Sequence, residues 1–185
     1  MKSGFGNNIL VTILVLVITT LTKTNGQTTM GVLPVDASAV SSSVLNARQW
    51  QWITIQIHDL LVTQLAGIGT VTKLTREHIL LLLKEIKDPD PENLDAETYK
   101  IISRKENLHY LLKYSIESID IVNEYVQAPI RVFIVDGNNG KVFWEKVLKT
   151  NRIVSNPAIT EQILLDEVIK PSVNDISKEI KLLKY

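Results

Sequence analysis

The sequence predicts an α/β fold in which helices and strands alternate along the chain. Two stretches carry this prediction. Residues 57–86 have the pattern of a helix end, a short strand and a second helix, and residues 130–148 have two β-rich arms joined by Asp-Gly-Asn-Asn-Gly. With 185 residues, of which 45% are hydrophobic and 22% are charged, the chain can bury one core, and we expect a single domain.

The N-terminus has the pattern of a secretory signal peptide. Lys2 precedes an apolar run over residues 9–21, and a polar stretch follows. We expect residues 1–26 to be the signal peptide, with cleavage between Gly26 and Gln27, and residues 27–185 to form the mature domain. The apolar run is shorter than the roughly 20 residues of a transmembrane helix, and an uncleaved anchor is the alternative.

Charge and cysteine content exclude several classes of protein. The 20 basic and 20 acidic residues give a formal net charge of zero, so the chain has no overall basic field that would attract nucleic acid. Cysteine is absent, which excludes disulfides, thiolate metal ligands, a cysteine nucleophile and a lipid-modified N-terminal cysteine. No asparagine lies in a glycosylation sequon, which agrees with a bacterial envelope protein.

The first strand is predicted at residues 31–35, and a loop of small residues at 36–43 follows it. A helix is expected to begin near Leu45. Apolar residues alternate within residues 49–57, as in a strand, but we favour a helix because a helical stripe continues in register to Leu65. That stripe consists of Trp50, Ile53, Ile57, Leu60, Leu61 and Leu65.

A second strand and helix follow the first helix. Gly67 and Gly69 are expected to end that helix, because glycine adopts the left-handed conformation at little cost. Residues 70–74 alternate apolar and polar side chains and are rich in β-branched residues, which predicts a strand. Thr75 can cap the next helix, whose predicted buried stripe is Ile79, Leu80, Leu82, Leu83 and Ile86.

The middle of the chain contains a helix and a strand. Two prolines within residues 88–93 predict a surface loop. Asp95 is expected to cap a helix at 96–106, and Asn107 to end it. Residues 108–116 have the alternation of a strand. One face of that strand carries Tyr110, Leu112 and Tyr114.

Residues 130–148 predict a β-hairpin, and the remainder predicts helices. Asn156 followed by Pro157 is typical of a helix start, so residues 157–184 form the predicted C-terminal helical segment. Pro171 is expected to break or kink it. The apolar stripe of the last helix is Val173, Ile176, Ile180 and Leu183.

The sequence predicts no catalytic, metal-binding or cofactor-binding residue. His58, His78 and His109 could in principle collect a metal, but none forms an i, i+4 pair or has a carboxylate at motif spacing. Residues 136–140 resemble a calcium loop only superficially, because Lys141 replaces the required glycine, and a turn is the better interpretation. Nucleophile elbows and phosphate-binding loops are absent from the sequence.

Two groups of residues have both a structural and a binding interpretation. Trp50 and Trp52 could anchor a partner, but core packing is favoured, at least for Trp50. Lys178, Lys181 and Lys184 alternate with apolar residues in the last helix. A solvated helix face is favoured for these lysines, and membrane contact is the alternative.

Four sequence segments, taken in order, resemble those of a known protein family. They are VLPVD at 32–36, DLLVTQL at 59–65, REHILLLLKE at 76–85, and VD with GKVFW at 135–136 and 140–144. The chain is similar, over residues 31–149, to the CsgG-like group of bacterial envelope proteins. That group includes the curli secretion lipoprotein, LpoB-type activators of penicillin-binding proteins and the amino-terminal domain of TolB. The resemblance implies a three-layer α/β domain with a mixed sheet flanked by helices, working through protein contacts without catalysis.

The functional hypothesis is a non-enzymatic cell-envelope protein in the periplasm or outer-membrane periphery of a bacterium. It would bind another envelope protein, in envelope assembly or as an accessory of peptidoglycan synthesis. No cofactor and no nucleic acid are expected, and membrane contact is expected only through an uncleaved N-terminus. The alternatives are an oligomeric curli-type secretion or assembly component, and a periplasmic hydrolase. The chain departs from the group because it has no lipobox cysteine and no paired amphipathic extensions for a pore.

Overall fold

A computed structural model describes residues 28–36, 45–84, 94–122, 125–153 and 160–183. Several predicted features lie outside these ranges: the signal peptide with its Gly26–Gln27 cleavage site, most of the loop at 36–43, Ile86, the loop at 88–93, the Asn156–Pro157 helix start and Lys184. The strands are β1 (Thr29–Val32), β2 (Thr70–Lys73), β3 (Tyr110–Ile116), β4 (Asp120–Val122), β5 (Tyr125–Asp136) and β6 (Val142–Ile153). The helices are α1 (Ala47–Leu65), α2 (Arg76–Leu83), α3 (Ala96–Glu106), α4 (Glu161–Ile163), a π-helical segment (Leu164–Ile169) and α5 (Lys170–Leu182).

The described strands form one mixed sheet centred on β5. β1 lies between β2 and β3 and is parallel to both. β3, β4 and β6 are each antiparallel to β5. β3 pairs with residues 130–136 of β5 and β4 pairs with residues 125–127, so these two strands share one side of β5 and β6 occupies the other.

Helices cover both faces of the sheet and create two cores. Successive residues of a strand point to opposite faces, so the neighbours Leu111 and Leu112 belong to different cores. The first core joins the sheet to α1 and the C-terminal helices, and includes Met30, Val32, Ile53, Ile57, Leu112, Tyr114, Val132 and Ile176. The second joins it to α2 and α3, and includes Leu33, Leu74, Ile79, Leu83, Tyr99, Ile102, Leu111 and Val135. The predicted α/β domain with a mixed sheet flanked by helices is confirmed.

The helix starts depend on side-chain caps. Asn46 and Gln49 form a reciprocal capping box at α1: Gln49 N donates to Asn46 Oδ1 at 3.1 Å, and Asn46 N donates to Gln49 Oε1 at 2.9 Å. Thr75 and Asp95 cap α2 and α3 as predicted. Asn107 ends α3 in the left-handed conformation, with φ of 54°. Because α1 covers residues 47–65, the helical interpretation of residues 49–57 is confirmed and the strand alternative is wrong.

The predicted end of α1 is wrong in its mechanism. The helix ends at Leu65, its C-cap Ala66 is right-handed, and neither Gly67 nor Gly69 has a positive φ. Gly69 is required for a different reason. A Cβ at this position would lie 2.2 Å from the carbonyl oxygen of Thr28, so the absence of a side chain lets the two backbones approach.

Three further predictions differ from the structure in detail. The first strand covers residues 29–32 and not 31–35, and the hairpin is longer than residues 130–148, because β5 and β6 are twelve residues each. Leu80 is 39% exposed and not part of the buried stripe, since the short helix α2 packs mainly through Ile79 and Leu83.

Pro171 does not break the C-terminal helical segment, which is helical from Glu161 to Leu182. The π-helical segment directly precedes the proline, and within it the N–H of Lys170 bonds to the carbonyl of Leu165, five residues earlier. A π turn is wider than an α turn, and proline lacks an N–H and normally collides with the carbonyl four residues before it. The wider turn therefore accommodates the ring. The predicted break at Pro171 is wrong, although the segment departs from a regular α-helix just before the proline.

Candidate functional site

An open cavity lies at the carboxyl ends of the parallel strands β1 and β2, a common place for ligand sites in α/β sheets. It has a volume of about 640 Å³ and lies beside the first turns of α1 and α2. We call it the strand-end cavity. Its walls include Leu33, Pro34, Asp36, Trp50, Ile55, His58, Lys73, Arg76, Glu77 and Lys113.

One wall of the strand-end cavity is apolar and continues onto the outer surface of α1. Trp50 packs against the first core, which confirms the core interpretation for this residue. Its indole Nε1 is buried and has no hydrogen-bond partner among the described residues. Ile55 is 48% exposed at the rim, and Trp52, three residues earlier on the same helix, is 37% exposed. Residues three apart on a helix are neighbours, so Trp52 and Ile55 form one exposed apolar surface.

The opposite wall carries charges from separate segments. Lys113 Nζ lies 3.3 Å from Asp36 Oδ2, and Lys73 Nζ lies 2.5 Å from Asp59 Oδ1. Arg76 and Glu77 begin α2 at the rim. Three basic side chains line the cavity together with the carboxylates of Asp36 and Glu77. Asp59 pairs with Lys73 from outside the lining, so the charges of this wall are close to balanced.

His58 is a structural residue in the floor of the strand-end cavity. It is 6% exposed, and its Nε2 lies 2.9 Å from the carbonyl oxygen of Val32, to which the protonated nitrogen donates. Burial lowers the pKa of His58 below its usual 6.5, and Lys73 lowers it further, while the bond to Val32 and the Asp59 carboxylate act in the opposite direction. The neutral ring thus ties α1 to β1.

The other two histidines belong to separate contacts. His78 Nε2 lies 3.1 Å from Glu106 Oε1 and links α2 to α3. His109 precedes β3, and its Nδ1 accepts a hydrogen bond from the N–H of Thr29 at 3.1 Å. Within the described ranges, no group of three or more His, Asp or Glu residues is placed to hold a metal ion.

The turn between β5 and β6 uses its polar side chains internally. Asp136 Oδ1 accepts a hydrogen bond from the N–H of Asn138 at 2.8 Å, and Asn139 Oδ1 accepts one from the N–H of Lys141 at 2.8 Å. Gly140 has a φ of 69°. These are the interactions of a tight turn, and the turn interpretation of residues 136–140 is confirmed.

The lysines of the last helix are placed on its outside. Lys178 and Lys181 are exposed, and Lys178 Nζ lies 3.5 Å from Asp175 Oδ1. This agrees with a solvated helix face. Among the helices that the structure describes, none has the length and hydrophobicity needed to cross a membrane.

The sequence did not reveal the charged wall of the strand-end cavity. Asp36, Lys73, Arg76 and Lys113 come from four segments and form no motif. The available signal was positional: Asp36 follows the first strand and Arg76 follows the second, and parallel strands end at the same edge of a sheet. Without the strand directions, that signal could not be used.

Comparisons with known proteins identify the fold and not the family. No family model matches the sequence, and no curated protein matches it at a significant level. A protein of Helicobacter pylori described as a homolog of the neuraminyllactose-binding hemagglutinin has a TM-score of 0.51 at 10% identity, covering 86% of this chain and 87% of its own. Protein CT253 of Chlamydia trachomatis has a TM-score of 0.50 at 14% identity, covering 83% and 93%.

The LpoB C-terminal domain of Escherichia coli is also among the solved structures found. It has a TM-score of 0.43 at 16% identity, covering 73% of this chain and 94% of its own. Identities this low bear on the fold alone. Membership of the CsgG-like group therefore stays a prediction.

Proposed function

We propose that this chain is a non-enzymatic bacterial envelope protein that binds another envelope protein through the strand-end cavity and the adjoining surface of α1. The proposal includes removal of residues 1–26, so that the mature protein begins at Gln27. One observation carries the binding role: exposed Trp52 and Ile55 stand beside an open cavity of about 640 Å³. Aromatic and large aliphatic side chains next to a pocket are typical of the residues that dominate binding energy in protein interfaces.

The walls of the cavity define the chemistry of the partner. The apolar wall suits a large apolar side chain, which would become buried between Trp50 and Ile55. The basic side chains Lys73 and Arg76 suit a carboxylate on the same segment of the partner. We therefore expect a peptide segment or loop with an apolar anchor and an acidic residue near it.

The polar groups of the cavity favour binding over catalysis. His58 is buried and bonded to the backbone of β1, Asp36 is paired with Lys113, and Thr75 caps α2. A general base or nucleophile must reach its substrate, and these groups are already committed to holding the fold. The predicted export signal and the CsgG-like element order support the envelope location.

Site-specific cross-linking tests this proposal. A photo-reactive amino acid replacing Ile55, in cells that export the protein, is expected to capture one envelope protein, and the same group replacing Lys178 is expected not to capture it. The partner is then purified and its affinity measured. Trp52→Ala with Ile55→Ala should weaken binding at least about tenfold, equivalent to ~1.4 kcal/mol, and Arg76→Glu should also weaken it.

Lys178→Ala is the matched control, because Lys178 lies on the exposed side of α5 and its exchange should leave the affinity unchanged. Equal affinities for the wild-type protein and the Trp52→Ala/Ile55→Ala variant would contradict the proposed binding surface. Capture at position 178 as strong as at position 55 would contradict it as well.

A further inference from the structure

Two neighbouring leucines of the short helix α2 lie on the outside of the molecule. Leu81 is 67% exposed and Leu80 is 39% exposed, although both belong to an unbroken apolar run from Ile79 to Leu83. Neither leucine lines the strand-end cavity. A single exposed leucine is ordinary on a protein surface, but two adjacent ones form an apolar patch whose removal from water is favourable.

The other sides of α2 are in contact with the rest of the chain. Its buried residues, Ile79 and Leu83, pack into the second core. His78 Nε2 lies 3.1 Å from Glu106 Oε1, which places α3 beside the next side of the helix. Leu82 also packs against the second core. The side that carries Leu80 and Leu81 is therefore the one that the described segments leave exposed.

Charged residues stand at both ends of this apolar patch. Glu77 is in the first turn of α2, Lys84 is its C-cap residue, and both are exposed. At the spacing of an α-helix, Glu77, Leu80, Leu81 and Lys84 fall within an arc of about 100°. We call these four residues the α2 stripe. From the start of the helix to its end, the stripe is acidic, then apolar, then basic.

The α2 stripe is complementary to itself in the antiparallel direction. Glu77 and Lys84 are equally far from the midpoint between Leu80 and Leu81. A two-fold axis through that midpoint would bring Glu77 of each copy beside Lys84 of the other, with the leucines of both copies together at the centre. A parallel pair would instead place Glu77 beside its own copy, and like charges repel. The charge pattern thus fits a second copy of this chain in one orientation.

The helix dipole gives a simpler interpretation of the two charges. An acidic residue is favourable at the start of a helix and a basic residue at its end, so Glu77 and Lys84 could serve α2 within one chain. The dipole does not account for Leu80 and Leu81, which gain nothing from exposure to water in a monomer. Association with a second copy accounts for all four residues of the stripe.

We propose that two copies of this protein associate through the α2 stripe as an antiparallel pair of helices. Leu80 and Leu81 of both copies would be buried between the helices, and an ion pair of Glu77 with Lys84 would flank them on each side. Since α2 has eight residues and is about 12 Å long, the contact is smaller than a standard protein–protein interface. We therefore expect a weak, reversible dimer, and the two-fold contact closes at two chains.

Sedimentation equilibrium tests the proposal on the exported protein, purified from cells that express the full chain. The mass should rise with protein concentration from that of one chain toward that of two. Leu81→Gln should raise the dissociation constant of the dimer at least about tenfold. It should leave the urea midpoint of unfolding unchanged, because this side chain is largely exposed in the single chain.

The charge of the α2 stripe is tested by reversal at each end. Glu77→Lys and Lys84→Glu should each raise the dissociation constant about tenfold, because each creates two contacts between like charges in the dimer. Lys178→Glu is the matched control. It makes the same change of charge at an exposed lysine of α5 and should leave the dissociation constant unchanged.

Mixing the two charge variants separates the contact between copies from the stability of the helix. In a mixed pair one copy has two lysines in the stripe and the other has two glutamates, so both flanking contacts are attractive. An equimolar mixture of Glu77→Lys and Lys84→Glu should therefore form a heterodimer with a dissociation constant close to that of the wild type. Mixing alters neither folded chain, so this recovery cannot come from the helix dipole.

Three results would overturn the proposal: a wild-type mass of one chain at every concentration, a limiting mass above two chains, or a mixture that associates no better than the separate variants. A lower urea midpoint in Leu81→Gln, measured where the wild type is monomeric, would show that the leucines are covered within one chain and would overturn it too. The Trp52→Ala/Ile55→Ala variant should dimerise as the wild type does. Failure of the dimer and failure of the proposed partner surface can thus be distinguished.

Discussion

His58 illustrates how a single buried residue links the candidate site to the stability of the fold. Its ring lies beneath the strand-end cavity, and burial lowers its pKa below 6.5. Since the unfolded chain keeps the ordinary value, the unfolded state binds more protons as the pH falls below 6.5. The stabilising contribution of the neutral ring is therefore fully present above pH 6.5 and is lost as the pH falls through the lowered pKa.

We predict that the free energy of unfolding decreases more between pH 7.5 and pH 5 in the wild-type protein than in His58→Gln. Glutamine can still donate to the carbonyl of Val32 but does not titrate. Urea unfolding at both pH values measures the difference. Gln51→Ala is the control, because Gln51 is an exposed residue of the same helix without a titratable group, and it should keep the wild-type pH dependence. An identical pH dependence in His58→Gln and wild type would refute this account of the pKa.

Two glycines allow a matched test of backbone strain. Gly140 has a φ of 69°, and a Cβ there would lie 2.0 Å from the carbonyl oxygen of Ala96, while nothing lies within 4 Å of a Cβ at Gly67. We expect Gly140→Ala to lower the free energy of unfolding by more than about 2 kcal/mol, through the left-handed conformation and the collision. Gly67→Ala should be neutral or stabilising by up to ~1 kcal/mol. Thermal or urea unfolding of both variants measures the two effects, and equal effects would contradict the predicted strain at residue 140.

At the scale of the elements, the sequence was sufficient to predict features that depend on contacts between residues close together in the chain. Thr75, Asp95 and Asn107 cap or end helices through contacts within three or four residues, and all three were predicted. The π-helical segment before Pro171 was not predicted, because proline in a helical pattern indicates a break unless the preceding turn widens. The strand β4 was missed because it has only three residues, and because residues 125–127 of β5, with which it pairs, precede the predicted hairpin.

The capping box of α1 provides the test at this scale. Asn46→Ala removes the acceptor for the N–H of Gln49, and we expect it to lower the free energy of unfolding by about 1 kcal/mol. Asn46→Asp keeps the acceptor and should remain close to wild type. Denaturant unfolding measures both, and an alanine variant as stable as the aspartate variant would show that the cap contributes nothing. If the strand-end cavity is the binding site, weakening the first turn of α1 should also reduce partner affinity, since Trp50 is in that turn.

At the scale of the whole molecule, the sequence predicted the fold more completely than the site. Hydrophobic periodicity identified nearly every helix and strand, and these were enough for the α/β class. The strand-end cavity depends on long-range placement instead. So does the contact between Ser103 and Gly137, which are 34 residues apart and meet only after α3 packs against the β5–β6 turn. This contact cannot be predicted from a single sequence, because neither residue is part of a motif.

The expected processing of the chain is also a property of the whole molecule. Fractionation of cells that express the full chain, followed by intact mass measurement, should yield a soluble product that begins at Gln27. Light scattering of that product at working concentration tests the oligomeric alternative, which the mass of one chain would exclude. A mass above that of two chains would instead favour the oligomeric assembly component, and an intact Met1 in the membrane fraction would favour the uncleaved anchor.

The central position of β5 has a kinetic consequence. Over residues 125–127 and 130–135 this strand is flanked on both sides by paired strands, so its amide hydrogens can reach solvent only when the sheet itself opens. The amides of Val132 and Ile134, in residues that are fully buried, should thus exchange with deuterium only through global unfolding. Amides of the shorter edge strand β2 should exchange earlier, through local opening. The slowest-exchanging amides of the protein would then report its total stability directly, without any denaturant.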